Sequence, residues 1–104
     1  MKLLINKLFG KFTIFAIIIF TSMSIASAKI KVVSTFSILG DMVQNIGGNN
    51  IELTTLVGAN GDGHVYEPTP ADAKSVAAAD VVFVNGLGFE GWIDRLVKAS
   101  GYKG

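Results

Sequence analysis

The sequence predicts an α/β fold in which helices flank a parallel sheet. Short β-branched segments alternate with segments of helical length, in the order βαβαβα. The third strand segment, residues 81–84, is apolar at every position, which is typical of a strand covered on both faces. Because we find no internal repeat, low-complexity tract or interdomain linker, we expect a single α/β layer.

The first strand and helix are predicted at the start of this layer. Residues 30–33 (IKVV) have the β-branched composition of a strand. A helix is expected to begin at about Ser37 and to end at Gly47 and Gly48, because glycine tolerates the left-handed conformation that ends helices. The apolar face predicted for this helix consists of Ile38, Leu39, Met42, Val43 and Ile46.

The second strand is predicted at residues 51–57 (IELTTLV), followed by a loop over residues 58–68. Three signals then agree on a helix start. Thr69 can cap free backbone amides, Pro70 fits the first turn, and Asp72 lies at the positive end of the helix dipole. After the third strand, a third helix is predicted at residues 90–99. Its expected buried residues are Trp92, Ile93, Leu96 and Val97.

The first 28 residues have the features of a secretory signal peptide. Three lysines precede an apolar run at residues 12–20, and small residues end the segment at Ala26, Ser27 and Ala28. The run is shorter than the ~20 residues that span a bilayer, so we expect cleavage after Ala28 and a periplasmic location. The sequence contains no cysteine, which excludes disulfides and lipid attachment at a processed cysteine.

The charge balance changes once the leader is subtracted. The chain has nine basic and eight acidic residues, and removing three leader lysines leaves six against eight, a net charge of −2. The positive total therefore comes from the leader and does not indicate binding to nucleic acid. The remaining residues, 29–104, are at the small end for an independent domain and suggest part of a larger protein.

His64 is the candidate metal ligand. It is the only histidine, and it lies in a glycine-rich loop where the second strand ends, the position at which α/β folds bind ligands. The alternative is a solvated loop histidine that bonds a neighbouring carbonyl. One imidazole does not make a site, since zinc and manganese sites usually have three or more protein ligands. Asp62, Glu67 and Asp72 are nearby carboxylates that could contribute, but Asp72 is better explained by the helix start and Glu67, beside Pro68, by a surface turn.

Residues 86–91 form a literal G-x-G-x-x-G between a strand and a helix. This pattern is the dinucleotide fingerprint, but here it follows the third strand and lacks a later acidic ribose ligand. A tight turn is the simpler interpretation. No nucleophile–base pair is visible, so we expect no catalytic residues and no enzyme activity.

Three segments together resemble one family. They are VVSTFSILGDMVQNIGG, LVGANGDGHVYEPTPAD and ADVVFVNGLGFEGWIDRL. The combination is similar to the N-terminal region of the periplasmic zinc/manganese-binding receptors of ABC transporters, the cluster A-I solute-binding proteins. The resemblance implies two α/β lobes with the metal between them, and it assigns His64 as the first metal ligand. It also implies that residues 66–72 and the glycine turn are scaffold.

The resemblance leads to a functional hypothesis. We expect an exported, monomeric substrate-binding component that captures Zn or Mn for an ABC transporter membrane permease. Residues 29–104 would form most of the N-terminal lobe, truncated before the remaining ligands and therefore unable to complete the site. Two alternatives stay open at this point, an exported adhesin or structural α/β protein and a fragment of a nucleotide-binding enzyme.

Overall fold

The computed structural model describes residues 28–104, and the predicted signal peptide lies outside this range apart from Ala28. Three strands alternate with three helices, as predicted. In chain order the elements are β1 (Ile30–Phe36), α1 (Ser37–Gly47), a short 3-10 turn (Gly48–Asn50), β2 (Ile51–Val57), α2 (Pro70–Ala78), β3 (Val81–Phe83) and α3 (Ile93–Ser100). Within residues 28–104, no helix combines the length and the apolar character needed to cross a membrane.

The three strands form a parallel sheet in the order β2-β1-β3. Ile30 of β1 is opposite Ile51 of β2, and Val33 of β1 is opposite Val82 of β3. Because all strands run the same way, their carboxyl ends lie at one edge, where the connecting loops meet. The predicted parallel α/β layer is confirmed, but β3 is not covered on both faces as predicted, because Val81 and Phe83 of this edge strand are 38% and 41% exposed.

The core lies between the sheet and the helices α2 and α3. Val33 and Val57 from the sheet are almost completely buried against Val76 of α2 and Leu96 of α3. Trp92, immediately before α3, belongs to the same cluster. These few aliphatic and aromatic residues form the core cluster. Each Å² of apolar surface that they remove from water stabilises the fold by about 25 cal/mol.

The apolar face predicted for α1 is only partly buried, since Leu39 and Val43 are half-buried but its other three residues are exposed. Ile38, Met42 and Ile46 are 69%, 57% and 88% exposed, and the only buried residue of the helix is Gly40. Gly40 lies against Ser34 and Thr55, whose hydroxyl groups are 3.2 Å apart. The helix therefore approaches the sheet through glycine, and periodicity could not show this because it scores apolar side chains only.

We expect Gly40→Ala to destabilise the fold. A Cβ at this position would lie 2.5 Å from Thr55 Oγ1 and 2.8 Å from Ser34 Oγ, closer than real contacts allow. Overpacking costs about 1–3 kcal/mol, which exceeds the ~0.5–1 kcal/mol that alanine gains over glycine within a helix. Urea denaturation followed by circular dichroism measures the difference.

Met42→Ala on the exposed side of α1 is the matched control. We expect it to change the free energy of unfolding by less than about 0.5 kcal/mol, as is usual for surface positions. If Met42→Ala costs about 2–5 kcal/mol while Gly40→Ala is neutral, the apolar face predicted from periodicity is the packed one and the observed face is wrong.

The third helix begins later than predicted. Trp92 is its N-cap residue, and α3 starts at Ile93 instead of at residue 90. Residues 86–91 form turns, because the side chain of Glu90 bonds backward to the amide groups of Asn85 and Gly86. The burial predicted for Trp92, Ile93 and Leu96 is confirmed, and Val97 is partly buried.

Candidate metal centre

Three loops meet at the carboxyl edge of the sheet. Phe36 ends β1, His64 lies in the loop after β2, and Phe89 lies in the loop after β3. The rings of Phe36 and Phe89 are 5.2 Å apart, and the rings of Phe89 and His64 are 5.9 Å apart. The predicted position of His64, at the strand ends of a parallel sheet, is therefore the position that the structure shows.

The imidazole of His64 is held on one side only. Its Nδ1 lies 2.9 Å from the carbonyl oxygen of Phe89, and its backbone N–H donates to Asp62 Oδ1 at 2.9 Å. A carbonyl oxygen can only accept, so this contact assigns the ring proton to Nδ1 in the neutral form. Nε2 makes no hydrogen bond with any group of residues 28–104, and the side chain is exposed. Its lone pair is thus available to a ligand.

Gly63 fixes the backbone just before the histidine. Its carbonyl accepts a 2.8 Å hydrogen bond from Trp92 Nε1. A Cβ at Gly63 would lie 3.2 Å from the ring of Phe89 and 3.3 Å from Phe36 Cβ, tighter than nearly all real contacts. A larger residue would therefore require the aromatic pair to shift by a few tenths of an ångström, and glycine lets this loop lie close to the pair, with His64 next to the Phe89 carbonyl.

The segment after the histidine is tied to the start of α2. Thr69 and Asp72 form a reciprocal capping box, with Asp72 N–H donating to Thr69 Oγ1 and Thr69 N–H donating to Asp72 Oδ2. The same Oδ2 accepts a 2.7 Å bond from the Tyr66 hydroxyl. The hydrogen bond to Asp72, reinforced by burial and by the carboxylate charge, raises the pKa of Tyr66. The helix start predicted at Thr69 is confirmed, and Asp72 and Tyr66 act as scaffold.

Glu90 is a polar residue that the sequence analysis did not single out. Its side chain is only 3% exposed. Oε2 accepts hydrogen bonds from Thr35 Oγ1 and from the Asn85 N–H, both at 2.6 Å, and Oε1 accepts one from the Gly86 N–H at 3.0 Å. The sequence signal that could have identified Glu90 is its position at the end of a glycine-rich turn, where its carboxylate can accept hydrogen bonds from the backbone amides of the turn.

Burial by itself raises the pKa of the Glu90 carboxyl, but the bonds from Thr35, Asn85 and Gly86 outweigh it and lower the pKa below its usual range. A folded-state pKa below the unfolded value means that ionisation of Glu90 stabilises the fold above the unfolded pKa. That contribution is lost as the pH falls through the folded pKa.

Two backbone amides of the G-x-G-x-x-G turn, those of Gly86 and Phe89, are already hydrogen-bonded within the turn. In dinucleotide sites such turns offer backbone N–H groups to the pyrophosphate at a helix start. Here the amides of Asn85 and Gly86 donate to Glu90, and that of Phe89 donates to the Gly86 carbonyl. These bonds hold the turn to itself, which supports the simpler interpretation made from the sequence.

The described residues do not by themselves hold a metal ion. No group of three or more His, Asp, Glu or Cys side chains lies close enough to do so anywhere in residues 28–104. An open hollow of about 840 Å³ lies beside the histidine, lined by both apolar and charged side chains, among them His64, Tyr66, Trp92, Asp94, Arg95 and Lys98. Asp62, Glu67 and Asp72 therefore do not join His64 in a ligand cluster.

Known proteins are similar to this chain in sequence. Residues 32–104 match the family described as zinc-uptake complex component A, periplasmic (ZnuA). The manganese-binding lipoprotein MntA of Halalkalibacterium halodurans is 48% identical over 69 residues, which is 66% of this chain and 23% of that protein. The manganese ABC transporter substrate-binding lipoprotein PsaA of Streptococcus pneumoniae is 45% identical over 82 residues, covering 75% of this chain and 26% of that protein.

Solved structures agree with the sequence relatives. The Mn-bound periplasmic metal-binding protein from Candidatus Liberibacter asiaticus superposes with a TM-score of 0.66 at 39% identity, covering 73% of this chain and 27% of that one. Zn(II)-bound AdcA from Streptococcus pneumoniae has a TM-score of 0.62 at 23% identity over 71% and 16% of the two chains, which shows the fold alone. The present chain spans about a quarter of the length of the curated relatives that it matches.

The fold and these relatives define the chain as a lobe of an ABC-transporter substrate-binding protein, a class of binding proteins and not of enzymes. Within that class it belongs to the ZnuA family of metal-binding receptors. The family resemblance and the absence of enzyme function predicted from the sequence are thereby confirmed. None of these comparisons supports the alternative of a nucleotide-binding enzyme. The role of His64 as a ligand is not tested by these comparisons and stays a prediction.

Proposed function

We propose that the protein to which this lobe belongs is exported and captures a divalent transition metal, manganese or zinc, for delivery to a membrane permease. His64 supplies one ligand through Nε2. The remaining ligands come from parts of the receptor beyond this lobe, since His64 is the only histidine of the sequence. Residues 29–104 act as the N-terminal lobe, and the adhesin alternative has no observation in its favour.

One observation carries the proposal, the hydrogen bond between His64 Nδ1 and the Phe89 carbonyl at 2.9 Å. Metal-ligating histidines characteristically donate their other ring N–H to a carboxylate or a backbone carbonyl, which fixes the ring and makes the free nitrogen more basic. A carbonyl contact alone is compatible with a solvated histidine as well. The ring is favoured as a ligand because it is exposed on the free side and because Trp92 anchors the residue before it.

Ligand exchange is the mechanism that follows. The hydrated ion loses water as Nε2 and the other ligands bind it, and imidazole binds only in the neutral form, so acid pH weakens capture. The charge of −2 for residues 29–104 favours approach of a cation. The names of the relatives include both manganese-binding proteins and a zinc-bound receptor, and we therefore propose the class of metal without choosing between the two.

Export follows from the leader-like residues 1–28 and from relatives named as lipoproteins or periplasmic proteins. We propose cleavage after Ala28, monomeric behaviour, and docking to the permease by the complete receptor. N-terminal sequencing of the exported chain, starting at Lys29, would support the cleavage site, and a lipid-modified N-terminus would contradict it.

The metal-binding proposal is tested by titrating the purified chain with Mn²⁺ and following backbone amides by NMR. We expect binding weaker than micromolar, because one imidazole falls short of the roughly three protein ligands that such sites need. Paramagnetic broadening should centre on residues 61–66 and 86–91, and His64→Ala should abolish this pattern.

Glu67→Gln is the matched control, because it removes a nearby exposed carboxylate and keeps the imidazole. Its broadening should equal that of the unaltered chain. If His64→Ala leaves the broadening in place, His64 is not a ligand. If the chain binds at micromolar affinity or tighter, the site does not need ligands from elsewhere in the receptor.

A further inference from the structure

The peptide group that accepts the bond from His64 lies directly beside a buried carboxylate. The Phe89 carbonyl belongs to the peptide bond between Phe89 and Glu90, and the Glu90 side chain is 3% exposed. Three donors converge on that carboxylate, from Thr35, Asn85 and Gly86. No arginine or lysine pairs with it, so its charge is stabilised by hydrogen bonds alone within residues 28–104.

We propose that Glu90 is a positioning residue that sets the tautomer and orientation of the His64 ring, acting through the Phe89 carbonyl. The inference rests on the proposed function, in which His64 is a metal ligand, and it adds the group that makes Nε2 the free nitrogen. Glu90 itself contacts neither the ring nor an ion.

The Glu90 side chain connects the ends of two strands, β1 and β3. Thr35 belongs to β1, and its hydroxyl is bonded at 2.6 Å to Glu90, which lies in the loop after β3. His64 lies in the loop after β2, which lies on the other side of β1. The carboxylate thus anchors the loop after β3 to the central strand, and this places the Phe89 carbonyl opposite the loop that carries His64.

The Phe89 peptide has little freedom to turn away. The peptide units on either side of it are both hydrogen-bonded. In the preceding unit the Phe89 N–H donates to the Gly86 carbonyl at 3.1 Å, and in the following unit the Glu90 carbonyl accepts from Ile93 N–H at 3.1 Å at the start of α3. The Phe89 ring packs on Phe36 at 5.2 Å. Because the neighbouring peptide units and the Glu90 side chain are all hydrogen-bonded, rotation of this carbonyl is restricted, and the acceptor of the Nδ1 proton is held in place.

A carboxylate suits this task better than a neutral side chain. All three groups that face it are donors, and ionised glutamate is an acceptor only, on both oxygens. A glutamine of the same shape would direct its NH₂ at one of these donors. The turn would then lose one bond and gain a repulsive contact, which loosens the peptide that faces His64.

The test is the tautomer of His64, read from the ring nitrogens by ¹H–¹⁵N NMR on the exported, metal-free chain above the pH at which the ring protonates. We expect the Nδ1–H form to predominate. In Glu90→Gln the ratio of Nδ1–H to Nε2–H should fall about fivefold, the change expected for loss of one ordinary hydrogen bond. Amide spectra verify that the variant is folded.

Asp80→Asn is the matched control. Asp80 also accepts a backbone N–H, that of Lys31 at 2.8 Å, but at the opposite edge of the sheet from His64. In this variant the tautomer ratio of His64 should equal that of the unaltered chain. Thr35→Val removes one donor and leaves the carboxylate in place, and it serves as the second variant if Glu90→Gln does not fold, with a smaller shift in the same direction expected.

An unchanged ratio in the folded Glu90 or Thr35 variant, or a predominant Nε2–H form in the unaltered chain, overturns the inference. A shift of equal size in Asp80→Asn overturns it too, because the effect would then be general loosening. Because no metal is present, this result is independent of metal binding. If His64 binds metal but its tautomer ratio is unchanged in the variants, only the positioning role of Glu90 is wrong. If the ratio shifts but His64 binds no metal, only the metal-binding proposal is wrong.

Discussion

Trp92→Ala is expected to remove a large share of the folding stability of the chain. Trp92 is 4% exposed, donates from Nε1 to the Gly63 carbonyl at 2.8 Å, and packs edge-on against Tyr66 with ring centroids 5.2 Å apart. Truncating a buried tryptophan to alanine costs about 3–5 kcal/mol. A domain of this size has a total stability of only about 4–11 kcal/mol, at ~0.05–0.15 kcal/mol per residue. The loss therefore ranges from about a quarter of the free energy of unfolding to all of it.

Trp92→Phe separates the contribution of the hydrogen bond from that of the buried ring, and Val65→Ala is the surface control. Trp92→Phe keeps a ring in the core but leaves the Gly63 carbonyl without its donor, which is expected to cost about 1–3 kcal/mol. Val65→Ala, at a side chain 71% exposed, should change stability by less than about 0.5 kcal/mol. Urea denaturation followed by far-ultraviolet circular dichroism measures all three. A loss below about 1 kcal/mol in Trp92→Ala would show that this residue is not central to the core.

His64→Ala is expected to remove high-affinity metal binding from a complete receptor. The suitable protein is a hybrid in which residues 32–104 replace the matching lobe of the H. halodurans manganese-binding lipoprotein, 48% identical to this chain. Partners that only orient a ligand are worth about 10–100-fold in metal affinity, and loss of a ligand itself should cost at least the upper value. Isothermal titration with Mn²⁺ and Zn²⁺ measures the change.

The thermal stability of the hybrid gives a second measurement. A metal at 100 times its dissociation constant stabilises a protein by about 2.7 kcal/mol, and this increment should disappear in His64→Ala and remain in Glu67→Gln. A hybrid that keeps its metal affinity without His64 would show that another group binds the ion. The role proposed for this histidine would then be wrong, while membership of the family would stand.

The order of elements could be read from the sequence because its signals are local. β-branched runs predict strands, and Thr69, Pro70 and Asp72 predict a helix start through groups that lie within one turn of each other. The capping box confirms that helix start, including the bond from Thr69 to Asp72. His64 could be selected for the same reason, since its residue type and its loop are both visible in the sequence.

The sequence could not show which face of α1 is packed. Ile38, Met42 and Ile46 form an apolar stripe, but Gly40 meets the sheet because its missing side chain makes room for the hydroxyl groups of Ser34 and Thr55. Closeness of approach depends on the partner surface, which periodicity does not contain. The late start of α3 has a similar cause, because the Glu90 side chain is used by the turn before it.

By itself, the sequence therefore determined the α/β class, the element order and the choice of His64, all of which depend on residues close together in the chain. Only the tertiary structure decided what surrounds that histidine. The Phe89 carbonyl comes from 25 residues away, Glu90 is anchored 55 residues away at Thr35, and the Trp92 indole holds Gly63 across 29 residues. These contacts depend on the order of strands in the sheet, since parallel strands bring together loops that are distant in sequence.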